Sequence, residues 1–478
     1  MAIEWSGLGP RLLVRLDRSA GRPLRAQLEG SLREAIRDGR LRGGERLPSS
    51  RELARELGVS RGMVQECYGQ LLAEGYLSSR TGSATRVADI KERPAAAPPR
   101  APSPARQAAD RALIADFRTG VPDLASFPRN DWAWAVRQAC GEVASADLGY
   151  GDPRGSAVLR EVLAAYLRRV RAADAGPRQM IISTGFAQGL NLVLRALSRE
   201  DGVSCVAFED PGYGSAQSDE TLRAVAAIGL RAEYVPVDEE GLVVSALAAS
   251  GAQAVVVTPA HQSPTGVVLS AARRHALVAW AQRTGGYVIE DDYDSEFRYD
   301  KEPVGALQGL APDQVFLVGT ASKALAPAVR LGWVHAPSAL AGAVAEEKEM
   351  SDRGSCTLDQ LALATLLTSG RYDRHLRRMR AVYAGRRAAL VEAFARYSSG
   401  VRLTGLAAGF QAVAPLPAGA QEAAIITAAR ERRVGLYGIG DHRGIPDAGA
   451  PPALVIGFGN VAERAIGPAI AAVADLLS

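Results

Sequence analysis

Apolar positions along the first ninety residues recur at helical spacing in three short blocks. Leu24, Leu28, Leu32, Ala35 and Ile36 fall on one face of a segment spanning 23–39, and Pro23 suits its first turn. Gly39 and the Gly43-Gly44 pair break it. Pro48-Ser49-Ser50 then caps a second helix from Arg51 to Leu57, with Leu53, Ala54 and Leu57 turned inward. Gly58-Val59 makes a turn, and Ser60 caps a third helix carrying Met63, Val64, Tyr68, Leu71 and Leu72. Two short helices around a glycine turn form a helix-turn-helix pattern. Beyond Gly75, two strand-like pieces flank a Gly82-Ser83 turn and read as a β-wing.

Residues 89–112 change character. Pro94 to Pro104 holds proline and alanine without apolar periodicity, the pattern of a semi-rigid linker. From 113 to 478 short buried-strand runs alternate with amphipathic stretches. Cys205–Phe208, Ala254–Val257, Tyr287–Ile289 and Val315–Val318 are strand runs, and Ala271–Arg283 has a helical pattern. This βα order predicts a doubly wound, mostly parallel α/β sheet. Such sheets collect ligands at the carboxyl ends of their strands. The expected organisation is therefore a DNA-reading unit at 11–88, a linker at 89–112 and a larger sensing or dimerising domain at 113–478.

A length of 478 residues fits two or three domains. The formal charge is only +4, yet Arg11 to Arg93 holds 17 Lys and Arg against 11 Asp and Glu. The positive excess thus sits in the helix-turn-helix region, as a nucleic-acid-binding unit requires. No apolar run is long enough for a membrane span, and the N-terminus has no signal-peptide pattern, so a cytoplasmic protein is expected. Cys67, Cys140, Cys205 and Cys356 share no metal-ligand spacing, nor do the five histidines, and no metal is expected.

The chemistry centres on Lys323. The strand run at Val315 stops at Gly319. Thr320, Ala321 and Ser322 follow, then Lys323, then Arg330 before a second apolar run. Lysine is scarce, occurring only at 91, 301, 323 and 348. A lysine in an apolar setting has a depressed pKa and attacks carbonyls, which suits a Schiff base with pyridoxal 5'-phosphate (PLP). That cofactor needs an acid at its pyridine nitrogen to make the ring an electron sink. Asp291, at the end of the Tyr287 strand, meets this need, and Tyr293 can serve the ring hydroxyl. The loop Thr258–Gly266, containing Ser263, can present a polar group to the ring edge. Thr184 and Gly185 open a small-residue helix start suited to phosphate, and Arg330 offers a cation for it. Tyr213, after another strand, can stack on the ring.

The N-terminal region resembles the DNA-binding domain of the GntR regulators, through Gly44-Glu45-Arg46-Leu47-Pro48-Ser49-Ser50-Arg51 and Leu57-Gly58-Val59-Ser60-Arg61. The resemblance implies that Ser49, Arg51, Ser60 and Arg61 face double-stranded DNA and that Gly82, at the wing tip, approaches the minor groove. The remainder resembles fold-type I PLP-dependent aminotransferases, with a large sheet and a smaller C-terminal α+β subdomain. Joined in one chain, the two are similar to the MocR-type subfamily of GntR regulators. That resemblance implies the Lys323 linkage, Asp291 on the pyridine nitrogen and Tyr293 on the ring hydroxyl. It also implies Tyr213 stacking, and Thr184, Gly185, Thr320, Ser322 and Arg330 around the phosphate. Leu148-Gly149-Tyr150-Gly151-Asp152-Pro153-Arg154-Gly155 matches too; in relatives this tyrosine reaches the neighbouring subunit's phosphate, which implies a head-to-tail homodimer.

There are departures. Ser263 stands where aminotransferases often have asparagine. Ser215, beyond Tyr213-Gly214, is no arginine, and the strand Leu454–Asn460 lacks the arginine that holds an α-carboxylate. Arg443 lies near in sequence as an effector contact. The expectation is a PLP-binding regulator with little or no turnover, controlling vitamin B6 synthesis in response to PLP. Alternatives are a regulator of amine or amino-acid catabolism sensing PLP with an amine, a working aminotransferase, or a large domain that serves only dimerisation.

Overall fold

In a computed structural model of the chain, which describes residue 14 and residues 16–79, 84–89, 113–212, 220–299, 304–405, 408–445 and 449–477, Leu24–Arg37 forms helix α1. Its buried face is Leu28, Leu32, Ala35 and Ile36, the face set by the apolar spacing. Helix α2 (Ser50–Leu57) opens on a capping box. Ser49 Oγ accepts from Glu52 N–H at 3.2 Å, and Ser49 N–H donates to Glu52 Oε2 at 2.9 Å. Gly58 ends α2 at φ +65°, a left-handed conformation that glycine adopts without strain. Helix α3 (Arg61–Ala73) follows at once, capped by Ser60. The Tyr68 hydroxyl donates to Pro48 O at 3.0 Å and ties α3 to the segment entering α2. Strands β1 (Leu77–Ser78) and β2 (Arg86–Val87) pair antiparallel as the base of the wing. The wing tip, with Gly82, lies outside the described residues, as does the linker beyond Asp89 up to residue 112.

A boundary between Pro102 and Ser103 separates this unit from a second compact one. The second unit opens with β3 (Ala115–Asp116) and is built on an eight-stranded sheet. Its strands are β4 (Met180–Ser183), β5 (Cys205–Asp210), β6 (Arg231–Asp238), β7 (Gly241–Leu242), β8 (Ala254–Val257), β9 (Tyr287–Asp292), β10 (Val315–Thr320) and β11 (Gly332–His335). The spatial order is β4-β11-β10-β9-β8-β5-β6-β7. The central pairs β10/β9, β9/β8, β8/β5 and β5/β6 are parallel, and the apolar runs of β5, β8, β9 and β10 are buried on both faces. Helices Phe186–Glu200 and Ala341–Asp352 cover one face; helix Ala271–Thr284 covers the other with Leu277 and Trp280. Strand β11 runs antiparallel to both neighbours. The return from β10 is a short loop, and a parallel crossover needs a helix-length connection. Gly319 faces the Trp333 ring across this pair, where any side chain would collide.

The C-terminal part adds β12 (Gln411–Pro415) paired antiparallel with β14 (Ala453–Gly457), and β13 (Val434–Gly435) paired parallel with β3. The beginning of the second unit is thus stitched to its end. This matters for the site, because the segment after β3 runs on to Gly120, the partner of Lys323. Among the described residues no helix is long and apolar enough to cross a membrane, and no three His, Cys, Asp or Glu side chains converge as metal ligands.

Candidate functional site

The register of β9 and β10 builds the centre. Asp291 pairs with Val318 and Asp292 with Gly319, so the acid at the end of β9 lies beside the strand end from which Lys323 emerges. Lys323 Nζ donates to Gly120 O at 2.6 Å. Burial lowers its pKa, while the charges of Asp291 and Asp294 pull the other way. The net depression leaves a larger share of neutral, nucleophilic amine than an exposed lysine has. Asp291 is itself buried, at 2% exposure.

The phosphate side assembles from three segments. Gly185 precedes the helix Phe186–Glu200 with φ +121° and ψ 179°, a conformation reserved to glycine. A Cβ placed there would stand 3.9 Å from both Arg330 Nη1 and Thr320 Oγ1. Thr320 Oγ1 and Ser322 Oγ are 2.9 Å apart, and Ser322 N–H donates to Thr320 Oγ1 at 3.1 Å. Arg330 takes φ +52°, unusual for a residue with a side chain, at the end of the turn Pro327–Val329. Hydroxyls, a guanidinium and a helix N-terminus therefore converge on one space left open by a missing side chain. Gly185→Ala is expected to cost about 1–3 kcal/mol of stability from its backbone conformation alone, measurable by urea unfolding.

Thr184 is held from behind. Its N–H donates to Gln188 Oε1 at 2.8 Å, and its hydroxyl to the same oxygen at 3.3 Å. Gln188 Nε2 donates to Asp352 at 2.7 Å, while Lys348, with its side chain wholly buried, donates to Gln188, Asp352 and Ser355. Sequence reasoning missed this support. The scarcity of lysine flagged Lys348, but its partners lie on other segments.

The ring-edge side is equally organised. Thr258 donates N–H and O–H to Glu209 Oε2 at 3.1 and 2.6 Å, and Ser263 N–H donates to Thr258 Oγ1 at 3.1 Å. Burial pushes the Glu209 carboxyl up to about 7, against the pull of Thr258 and Gln262. The Tyr293 hydroxyl donates to His261 O at 3.0 Å and lies 3.1 Å from His261 Nδ1, which is 2.8 Å from Asp294 Oδ2. The sequence placed His261 in a suggestive loop but did not reveal its acid partner. Arg443 is half-buried at the end of the turn Ile439–His442 and makes no ion pair with a described residue. Gly212 N–H donates to His442 O at 2.8 Å and Gly444 N–H to Asp210 Oδ1 at 3.1 Å, so this turn sits at the carboxyl end of β5. Tyr213 and Ser215 follow β5 and lie outside the described residues. Tyr150 is not drawn into the group; it is 80% exposed, with the Arg353 guanidinium 5.6 Å from its ring centre.

In the N-terminal unit Ser49 and Ser60 spend their oxygens as helix caps. Arg51 and Arg61 are exposed at the start of α2 and α3, and neither pairs with an acid among the described residues.

Residues 24–87 match the family described as bacterial regulatory proteins, gntR family, and residues 116–437 match aminotransferase class I and II. A Corynebacterium glutamicum HTH-type pyridoxine biosynthesis transcriptional regulator, PdxR, is 33% identical over 463 residues, 95% of each chain. A probable rhizopine catabolism regulatory protein, MocR, of Rhizobium meliloti is 34% identical over 392 residues, 79% of this chain and 78% of that one. The chain belongs to the MocR-type subfamily of GntR regulators. Its second unit has the fold-type I aminotransferase fold. It superposes on an archaeal alanine:glyoxylate aminotransferase with a TM-score of 0.69 at 25% identity, covering 78% of this chain and 94% of that one. A Pyrococcus horikoshii kynurenine aminotransferase gives the same TM-score at 23% identity, covering 78% and 93%. The family implies a DNA-binding regulator with a PLP-type domain, and the residues present fit that cofactor. Lys323, the acid at Asp291 and the cradle of Gly185, Thr320, Ser322 and Arg330 offer an amine, a partner for a pyridine nitrogen and an anion site.

Proposed function

We propose that this MocR-type protein is a PLP sensor that couples occupancy of Lys323 to the DNA affinity of paired winged helices. The observation that supports the reading is the grouping of Lys323 and Asp291 at adjacent strand ends, with Gly185, Thr320, Ser322 and Arg330 drawn together, alongside a strand, β14, whose residues Ala453 to Gly457 are all buried and hold no cation. When bound, PLP would supply an electron sink and a phosphate handle. A transaminase must also hold a substrate carboxylate so that the reacting bond is aligned, and a forked arginine does this best. Cofactor capture needs no such clamp. The signal is then PLP itself, and control of vitamin B6 synthesis follows, in keeping with the name of the C. glutamicum relative.

Lys323, Asp291, Tyr293, Tyr213, Ser263 and the Thr184/Gly185/Thr320/Ser322/Arg330 group would hold the cofactor. Tyr150 would complete the partner's phosphate site in a head-to-tail homodimer. The exposure of Tyr150, Leu148 (60%) and Met350 (66%) supports this reading. The protein would act in the cytoplasm, on a double-stranded operator read by the N-terminal unit at 11–88 through the linker at 89–112.

A second reading has one specific observation in its favour. Arg443, half-buried and without a described acid partner near the end of β5, is placed to take a carboxylate. The effector would then be an amine or amino acid joined to PLP, in keeping with the catabolic name of the R. meliloti relative.

The deciding measurement is operator affinity with and without PLP, alongside a transamination assay across common amino acids and amines. Adding PLP is expected to change DNA affinity about 5- to 150-fold, and DNA must change PLP affinity by the same factor. Equal DNA affinity in both states with rapid turnover of one amine donor would leave an enzyme instead.

A further inference from the structure

The His261–Asp294 pair is among the most deeply buried charge pairs of the second unit, with side chains 0% and 2% exposed. It touches neither the phosphate cradle nor the amine. Asp294 acts on the Lys323 amine through its charge, and among the described residues Tyr293 is the pair's hydrogen-bond link to the cofactor side. We propose that Asp294, acting through His261, fixes the direction in which Tyr293 donates its hydroxyl proton, and so sets the pH at which the loaded Lys323 site titrates. The inference rests on the PLP reading above.

The argument is one of proton placement. An ionised carboxylate only accepts, so the 2.8 Å contact between Asp294 Oδ2 and His261 Nδ1 puts a proton on Nδ1. A nitrogen that holds a proton cannot accept another. The Tyr293 oxygen, 3.1 Å from that same Nδ1, therefore faces an N–H, and its own proton must go elsewhere. In the ligand-free site it goes to His261 O at 3.0 Å. In the loaded site it is available to the ring oxygen of the cofactor. Without Asp294 the imidazole can move its proton to Nε2. A bare Nδ1 would then accept from Tyr293 and withdraw that proton from the ligand.

The surroundings do not disturb this assignment. His261 is faced by Asp294, Tyr293 and, further along the same segment, the positive charge of Arg298. From the C-terminal part it meets the Gly405 backbone, and at Gly409 any side chain would collide with the imidazole. Burial disfavours the imidazolium, yet Asp294 outweighs burial and holds the His261 pKa above its ordinary value. Nδ1 keeps its proton in both the neutral and the charged ring. With Ser263 rather than an amide at the ring edge, Tyr293 carries more of the donor role.

The consequence is spectroscopic. A donor on the ring oxygen stabilises that oxygen's negative charge. Without the donor, the oxygen holds the nearby linkage proton more tightly and the titration moves to higher pH. Full-length protein is loaded with PLP and its visible spectrum followed against pH for wild type, Asp294→Asn, His261→Asn, His261→Gln and Tyr293→Phe. Tyr293→Phe is expected to raise the midpoint by about one pH unit, the size of one lost hydrogen bond to a charged group. Asp294→Asn also removes a charge that favours the protonated site, which lowers the midpoint. Its effect through Tyr293 is therefore the difference between the shift from Asp294→Asn made in wild type and that made in Tyr293→Phe. The shift should lie higher in wild type, because the bond it acts through is absent from Tyr293→Phe. His261→Asn, whose amide N–H can stand near the Nδ1 position, should stay close to wild type, whereas His261→Gln should shift. Full additivity in the double variant would overturn the proposal. If Asp294→Asn does not fold, the two His261 variants decide: equal midpoints overturn it. Wild-type protein that develops no visible band refutes the cofactor reading, a separate outcome.

Discussion

Lys323→Ala protein, incubated with PLP and treated with borohydride, is expected to retain no covalently fixed cofactor, while wild type gains one pyridoxyl phosphate on the peptide containing Lys323. Borohydride reduces a carbon–nitrogen double bond to a stable amine, so only a lysine already joined to the carbonyl is labelled. The structure gives three reasons to choose this lysine. It is the one that follows β10, beside Asp291 across the β9/β10 register. Burial depresses its pKa, which raises the neutral fraction that attacks carbonyls. Among the described residues its amine makes one hydrogen bond, to Gly120 O, which breaks cheaply. Lys348, also buried with a lowered pKa, is the natural competitor. Three acceptors hold it, so its amine is not free to react. The fold should survive the change, since Lys323 makes no ion pair with a described residue, and circular dichroism checks that. Operator binding by the variant should also stop responding to PLP. A fixed label of equal yield in the variant, or a label on Lys348, would remove Lys323 from the site.

Much of this site was legible in the sequence, and the reason is local. Lys323, Thr320, Ser322 and Arg330 lie within one loop, and Asp291 and Tyr293 within another, each at a strand end marked by an apolar run. The helix-turn-helix was legible because its caps, Ser49 and Ser60, and its turn glycine, Gly58, are one-residue signals. What stayed hidden depends on separated segments. The β3/β13 pairing joins Ala115 to Val434 through two-residue strands that no periodicity marks. The reversal of β11 follows from the short return loop, not from its own composition. The Lys348–Gln188–Thr184 support and the Asp294–His261–Tyr293 chain need contacts that only packing supplies. The sequence therefore displayed the groups that would meet the cofactor and concealed those that orient them.

Arg61→Ala should weaken specific operator binding by about 1–3 kcal/mol, roughly 5- to 150-fold, if this arginine reads a base. The geometry makes it the stronger of the two arginine candidates. It is the first residue of α3, the second helix of the helix-turn-helix, and the N-terminal residues of that helix are the ones such motifs point at base edges. It is exposed and unpaired by any described acid, so its fork can meet guanine O6 and N7 without first breaking an internal ion pair. Arg51 opens α2, the helix that crosses the backbone, and is better placed for a phosphate. Its loss should lower specific and non-specific affinity alike and make the salt slope shallower by about one unit. Neither arginine supports the core, so both variants should melt as wild type does. Ser60→Ala is the contrasting case. It removes the acceptor of the Met63 N–H and should cost about 1 kcal/mol of stability as a lost cap. Binding isotherms at two salt concentrations, on operator and on unrelated duplex, separate these effects. Wild-type operator affinity in both arginine variants would mean that α3 does not enter the groove, and the reading surface would have to be sought elsewhere in the N-terminal unit.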